Sequence, residues 1–165
     1  MKRIICFISF IAILFCLYGC TQKSVDYKTP VKVYYCRDEI SYNSPEGVFM
    51  FEYREFSGWE DRTRDFLNTY LGKPISPELT SPFPFGAWII ELEQDGSTVD
   101  ILLNIHFSRL APNELTNACT CLSLTVFDLL NVETVNFQID SSKQTRQTIT
   151  MTKENLCFSE QPPIE

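Results

Sequence analysis

The chain has 165 residues, which suits one domain with its own hydrophobic core and would be crowded for two. It carries 21 Asp and Glu against 14 Lys and Arg, a formal net charge of −7 at neutral pH. Because phosphate backbones repel so acidic a surface, the composition argues against nucleic acid as a partner.

The first 19 residues predict an export signal. Lys2 and Arg3 precede an apolar run, residues 4–17, that only Ser9 interrupts. A membrane-spanning helix needs about 20 apolar residues, whereas the apolar part of a signal peptide needs about 7–15. The next residues, Leu17-Tyr18-Gly19-Cys20, resemble the lipobox of bacterial lipoproteins, in which a small residue precedes the Cys that becomes the acylated first residue. Cys16 fits this pattern less well because the bulky Phe15 precedes it.

Lipidation of Cys20, with palmitate among the acyl chains, would anchor the mature protein to the membrane. Tyr18 departs from the lipobox pattern because that position is usually small or aliphatic, and the alternative is an uncleaved signal anchor. Both interpretations place the domain outside the cytoplasmic membrane. Cleavage would leave 12 Lys and Arg against 21 Asp and Glu, a net charge of −9, with residues 20–30 as a polar tether.

Residues 31–152 predict a single domain, which begins with two strands and a helix. Residues 31–36 alternate apolar and polar side chains, as in a strand, and the aromatic-rich residues 48–56 predict a second, edge strand. A capping box at Ser57-Gly58-Trp59-Glu60 predicts the start of a helix that ends at Gly72 and Pro74. Residues 75–86 contain three prolines and predict a loop.

The second half of the domain predicts a hairpin, a helix and two strands. Asp95-Gly96 lies between two alternating segments, residues 87–93 and 97–104, which is a strong hairpin pattern. Trp88, Ile90 and Leu92 are expected on one face of the first arm. The remaining predicted elements are a helix from Pro112 to about Leu130 with Asn131 as a left-handed cap, strands over residues 132–140 and 148–152, and a flexible tail over residues 153–165.

This order of elements predicts an α+β fold, a two-layer sandwich in which two helices cover one face of a mixed or antiparallel sheet. The sequence does not determine whether the cysteines form disulfides. If Cys20 is acylated, Cys36, Cys119, Cys121 and Cys157 can form up to two disulfides in three connectivities, or remain free thiols in the core. No metal site is predicted, because Cys119-Thr120-Cys121 lacks the C-x2-C spacing of zinc sites and the chain has a single His.

Several segments, in this order, resemble the GerMN domain, the sporulation and spore germination module of extracytoplasmic proteins. The segments are Val33-Tyr34-Tyr35, Tyr70-Leu71-Gly72-Lys73-Pro74, residues 81–86, Ser97-Thr98-Val99-Asp100-Ile101, residues 124–132 and Val135. Two positions depart from the family pattern, because Asn131 and Ser141 stand where Gly is usual, and only one copy of the domain fits.

The resemblance implies a membrane-tethered, non-catalytic scaffold or interaction protein. Its partners would be envelope proteins, with a homo-oligomer as one form of assembly. The family is associated with spore assembly and germination rather than catalysis, and it implies no cofactor.

The residues themselves offer little catalytic chemistry. His106 could act as a general base, with Asp100 and Ser108 near it in sequence, but no acid is placed behind it and no recognised nucleophile or phosphate-loop motif occurs. Asp95, Gly96 and Asp100 do not follow a calcium-loop pattern, and the hairpin turn explains them better.

Aromatic residues offer the clearest candidate binding surface. Tyr34, Phe49, Phe51 and Tyr53 are the predicted interaction residues, drawn from a set that also contains Tyr42 and Phe56. Exposed aromatic faces and strand edges favour protein–protein assembly. Aromatic platforms also suit sugar rings, so a peptidoglycan-binding module is the alternative function. The structural alternative is that some of these rings are part of the hydrophobic core.

Overall fold

The computed structural model describes residues 28–38, 47–57, 62–140 and 148–156. Residues 1–27, which include Cys20, lie outside the described residues, and so do Tyr42, the capping box residues 58–60 and Cys157. In chain order the elements are β1 (Lys28–Arg37), β2 (Phe49–Ser57), α1 (Thr63–Tyr70), β3 (Leu79–Thr80), β4 (Ile89–Asp95), β5 (Thr98–Leu103), a 3-10 helix (Ile105–Arg109), α2 (Pro112–Leu130), β6 (Thr134–Ile139) and β7 (Thr148–Thr152). This confirms the predicted α+β class, and β1 begins inside the predicted tether.

The strands are divided between two sheets. The first has the order β2-β1-β3 and is antiparallel, and the second has the order β4-β5-β6-β7 and is mixed, because β5 and β6 run parallel. A parallel pair needs a long crossover connection, which the 3-10 helix and α2 supply. The two-residue strand β3 lies inside the proline-rich loop, at an edge of the first sheet where missing N–H groups can be tolerated.

The hairpin of β4 and β5 turns at Gly96, whose φ of +58° suits a residue without a Cβ atom. Val99, Ile101 and Leu103 lie on one face of β5 and are buried in the core. The first arm differs from the expectation, because the pairing shifts between Ile89 and Glu91. This bulge turns Ile89 into the core and leaves Trp88 exposed, so Trp88, Ile90 and Leu92 do not form one buried face.

The two helices join the sheets into one core. Helix α2 packs against β1 of the first sheet and against β6 and β7 of the second, and residues 118–123 are buried on every side of the helix. Asn131 ends α2 in the left-handed conformation, with a φ of 50°, as predicted. The shorter α1 packs against β4, and the ring of its last residue, Tyr70, lies 5.1 Å from the ring of Tyr35 on β1.

Candidate interaction surface

The predicted interaction residues come together on one face of the first sheet. Tyr34 lies directly opposite Phe51 in the pairing of β1 with β2, and their ring centroids are 5.6 Å apart. The next ring along β2, that of Tyr53, lies 5.5 Å from Phe51 in an edge-on arrangement. Phe49 continues the same face. We call the row formed by Tyr34, Phe49, Phe51 and Tyr53 the aromatic ladder.

The ladder is only partly covered by the rest of the protein. The Tyr53 side chain is 57% exposed, whereas Tyr34, Phe49 and Phe51 are half-buried. The ammonium of Lys32 lies 5.0 Å from the centroid of the Phe51 ring, where a cation is favoured by the negative face of the ring. Phe56 does not join the ladder, because it lies on the opposite face of β2 and packs on Phe66 with ring centroids 4.9 Å apart.

At Phe51, Tyr53 and Glu55, the described residues provide no backbone partner on the outer edge of β2. The Tyr34 N–H donates to Oγ1 of Thr125 at 3.0 Å, and the Tyr34 carbonyl accepts from the Tyr70 hydroxyl, so the backbone groups of Tyr34 point away from β2. In an antiparallel pair, the residue opposite must then also point its N–H and C=O away from the neighbouring strand. That residue is Phe51, and the alternation of β2 extends the same orientation to Tyr53 and Glu55.

On the face of β2 opposite the ladder, an ion pair ties the strand to the rest of the domain. The Glu52 carboxylate accepts a hydrogen bond from Nη2 of Arg54 at 2.8 Å. Both side chains are largely buried, since Glu52 is 10% exposed and Arg54 14% exposed. Glu52 also accepts the backbone N–H groups of Ile75 at 2.9 Å and Ser76 at 3.0 Å, and Arg54 donates to the Lys73 carbonyl at 2.8 Å. This network ties β2 to the segment after α1, so the ladder is displayed on a well-supported strand. The pair was not predicted from the sequence, although two charged residues at alternate positions of an aromatic-rich strand are a visible signal.

The residues considered for catalysis are not brought together. His106 lies in the 3-10 helix with its ring against Gly86, where a Cβ atom would come within 3.2 Å of Nε2. The Ser108 hydroxyl donates to the Ile105 carbonyl at 2.8 Å. Asp100 lies on the exposed face of β5, where it accepts Nδ2 of Asn136 at 2.9 Å. None of these contacts joins a base to a nucleophile.

The described cysteines are buried free thiols. Cys36 on β1 and Cys121 on α2 lie in contact, whereas Cys119 faces apolar surroundings. Burial raises the pKa of the Cys119 thiol from 9.0 to about 12, and burial followed by the contact with Cys36 raises the pKa of Cys121 further. The Cys119 and Cys121 thiols are therefore poor nucleophiles and poor metal ligands, whereas the hydrogen bond with Cys121 lowers the pKa of Cys36. Over the described ranges, no group of three His, Cys, Asp or Glu side chains could hold a metal ion.

A depression of roughly 330 Å³ lies between β2 and α1, and the described side chains that line it do not form a recognisable catalytic arrangement. Arg54, Arg62 and Asp65 contribute its polar rim, and Phe56 and Phe66 contribute its apolar wall. In the part of the chain that the structure describes, no helix has both the length and the apolar character needed to cross a membrane.

The geometry therefore defines a small α+β module whose accessible feature is a sheet edge bearing an aromatic ladder. Its fold is similar to that of the tandem GerMN domains of the sporulation protein GerM from Bacillus subtilis, with a TM-score of 0.51 and 14% identity, over 76% of this chain and 43% of that one. This chain thus spans less than half the length of that structure. The GerMN resemblance predicted from the sequence is confirmed at the level of the fold.

A second solved structure is more distant. It belongs to a Clostridium perfringens protein described as a candidate lipoprotein, with a TM-score of 0.44 and 13% identity over 78% of this chain and 89% of that one. A similarity of this size carries no argument about this chain. No family model matches the sequence, and no curated protein matches it.

Proposed function

We propose that this protein is an extracytoplasmic lipoprotein whose domain is a non-catalytic scaffold or interaction module, acting in sporulation or spore germination. The observation that carries the proposal is the outer edge of β2, where the aromatic ladder lies beside backbone groups of Phe51, Tyr53 and Glu55 that no described residue pairs. A long edge strand with exposed aromatic residues is a template for another protein, and proteins that do not use such edges normally cover or charge them. The GerMN-like fold supports the biological setting.

The anchor is proposed from Leu17-Tyr18-Gly19-Cys20 at the end of the apolar run. Two or more acyl chains on Cys20 would hold the domain stably at the membrane, where one chain gives only reversible binding. We expect labelled palmitate to be incorporated into the protein and lost in Cys20→Ala, with a shift in electrophoretic mobility. Cys16→Ala is the matched control and should label normally. Absence of label in the unsubstituted protein would remove the anchor.

The interaction role is tested by crosslinking in sporulating cells of a spore-forming host. The unsubstituted protein should capture a defined set of envelope proteins, and the double variant Phe51→Ala, Tyr53→Ala should lose at least part of that set. Trp88→Ala is the control, since Trp88 is an exposed aromatic residue on another part of the surface. Capture that is identical for all three proteins would show that the ladder is not the interaction site.

The second candidate function is peptidoglycan binding, which the row of exposed and half-exposed rings favours. Sugar rings stack on such faces, and Tyr53 offers the most accessible one. If this function is correct, the protein co-sediments with purified peptidoglycan and Tyr53→Ala weakens the sedimentation. A protein that stays in the supernatant would exclude it.

A further inference from the structure

We propose that β2 pairs with β2 of a second copy of this chain, edge to edge and antiparallel, about a two-fold axis through Tyr53. This inference rests on the proposed function and names the partner of that same surface. It uses the outward N–H and C=O groups of Phe51, Tyr53 and Glu55, for which the described residues provide no hydrogen-bond partner. The two three-stranded sheets would become one continuous six-stranded sheet.

Opposite charges favour one register of this pairing over the two adjacent registers. With the axis at Tyr53, Glu52 lies opposite Arg54 of the second copy and Arg54 opposite Glu52, so the largely buried ion pairs of the two copies would meet with opposite charges adjacent. Moving the axis by one residue in either direction places Glu52 opposite Glu52, or Arg54 opposite Arg54. Like charges directly opposite one another destabilise an antiparallel pair, whereas opposite charges stabilise it. The strand is therefore complementary to itself in the Tyr53 register.

The side chains around the axis fit the same register. On the ladder face, Tyr53 meets Tyr53 of the second copy at the axis, and Phe51 on either side faces Glu55. On the opposite face, Met50 meets Phe56 of the second copy. Burial of Tyr53, which is 57% exposed in the single chain, would remove apolar surface from water.

The two edges of the second sheet lack this complementarity. The edge strand β4 carries Glu91, Glu93 and Asp95, which would meet one another in a second copy, and its bulge interrupts the edge. The edge strand β7 is only five residues long and has no charged side chain to fix a register. Of the three edge strands compared, β2 alone combines length, exposed aromatic surface and opposite charges placed symmetrically about one residue.

The register is tested by crosslinking the full-length protein in membranes. A short thiol-specific crosslinker should join Tyr53→Cys to itself, because the two introduced thiols lie opposite one another at the axis. Phe51→Cys is the matched control, since each introduced thiol would face Glu55 of the second copy and lie about four residues' length from its own equivalent. We expect at least fivefold more covalent dimer for Tyr53→Cys than for Phe51→Cys or the unsubstituted chain. Equal yields, or more dimer at position 51, would overturn the proposal.

A proline variant supplies a second measurement. The N–H of Tyr53 points away from β1, so Tyr53→Pro removes no hydrogen bond within the domain but removes one across the seam. The dimer should weaken at least tenfold while the circular dichroism spectrum is retained. Undiminished association of a folded Tyr53→Pro protein would also overturn the pairing. If the unsubstituted chain is monomeric yet captures envelope proteins, self-pairing fails and the scaffold function stands. If it forms the dimer but captures no envelope protein, self-pairing stands and the scaffold function fails.

Discussion

Asn68 supports the bulged start of β4 with both groups of its side-chain amide. Its Oδ1 accepts the Ile89 N–H at 2.7 Å and its Nδ2 donates to the Ile89 carbonyl at 3.2 Å, in a buried site between α1 and β4. Asn68→Ala would leave two buried backbone groups without partners, which costs about 1–3 kcal/mol for each group and somewhat less where water can enter. We expect the free energy of unfolding, measured by chemical denaturation, to fall by about 2–3 kcal/mol.

Asn136 provides the matched control for this substitution. Its amide also makes two side-chain hydrogen bonds, to Asp100 at 2.9 Å and from Thr150 at 2.9 Å, but it does so on the exposed face of the second sheet. Water replaces those partners, so Asn136→Ala should cost less than about 1 kcal/mol. Equal losses for the two variants would show that Asn68 has no special role in holding β4.

The buried thiol of Cys119 predicts a loss of stability in alkaline solution. Its pKa rises from 9.0 to about 12 on folding, because burial disfavours the thiolate. The folded protein therefore holds a proton that the unfolded chain releases, so this contribution is complete below pH 9 and is lost between pH 9 and about 12. Each pH unit in that window should cost about 1.4 kcal/mol for this one group.

Cys119→Ala isolates the contribution of the thiol. The unfolding free energies of the variant and the unsubstituted protein, measured at pH 7, 9 and 10.5, should converge as the pH rises. Burial also raises the pKa values of Cys121 and Tyr70, so both proteins lose stability, the unsubstituted one more steeply. Parallel curves would mean that the Cys119 thiol reaches water.

At the level of elements, the side of β1 that faces away from β2 pairs with β3 only at Cys36 and Arg37, and at Tyr34 helix side chains cover it instead. Thr125 on α2 accepts the Tyr34 N–H at 3.0 Å while its hydroxyl donates to the Cys121 carbonyl at 3.0 Å, and Tyr70 on α1 donates to the Tyr34 carbonyl. Thr125→Val keeps the shape and removes the acceptor. We expect a loss of about 1–3 kcal/mol and faster hydrogen exchange at the Tyr34 amide.

Thr116→Val is the control within the same helix. The Thr116 hydroxyl donates to the Pro112 carbonyl at 2.8 Å in an exposed turn and accepts no bond from another element. Its replacement should change stability by less than about 0.5 kcal/mol and leave the Tyr34 amide protected. Rapid exchange at Tyr34 in this control would mean that the exchange reports helix fraying.

The contacts of Thr125 and Tyr70 with β1 also explain which elements could be predicted from the sequence and which could not. The periodicity of residues 112–130, the alternation in β6 and the Asp-Gly turn are local signals, and the structure confirms them. The division into two sheets depends on Thr125 and Tyr70 reaching β1 from distant parts of the chain, and periodicity carries no such information. The bulge at Ile89 likewise depends on Asn68, which a polarity pattern assigns to the helix surface.

For the candidate site, too, the features that depend on neighbouring residues could be predicted from the sequence, and those that depend on distant segments could not. The sequence placed Tyr34, Phe49, Phe51 and Tyr53 together because two-residue alternation and an antiparallel pair of strands are sufficient to align them. It could not show that β2 lies at the edge of the described sheet, since that requires the strand order. The ion pair of Glu52 and Arg54 was also missed, because its burial is created by the segment after α1.

At the level of the whole molecule, the two sheets share one core, because α2 contacts strands of both sheets and α1 contacts β4 and, through Tyr70, β1. Buried residues of both sheets and both helices form one continuous apolar cluster, and α2 touches strands of each sheet. Neither sheet keeps a core without α2. The domain should therefore unfold in a single transition rather than sheet by sheet.

Leu122→Ala tests this shared core directly, because Leu122 is fully buried in the middle of α2. The cavity should cost about 2–5 kcal/mol. Since the helix supports both sheets, hydrogen exchange at Val33 in the first sheet and at Phe137 in the second should accelerate by the same factor. Ile75→Ala, which truncates a side chain that is 77% exposed, should change neither amide. If Phe137 stayed protected while Val33 exchanged, the second sheet would be stable by itself, and the helices would be attachments to it rather than the joint core of both sheets.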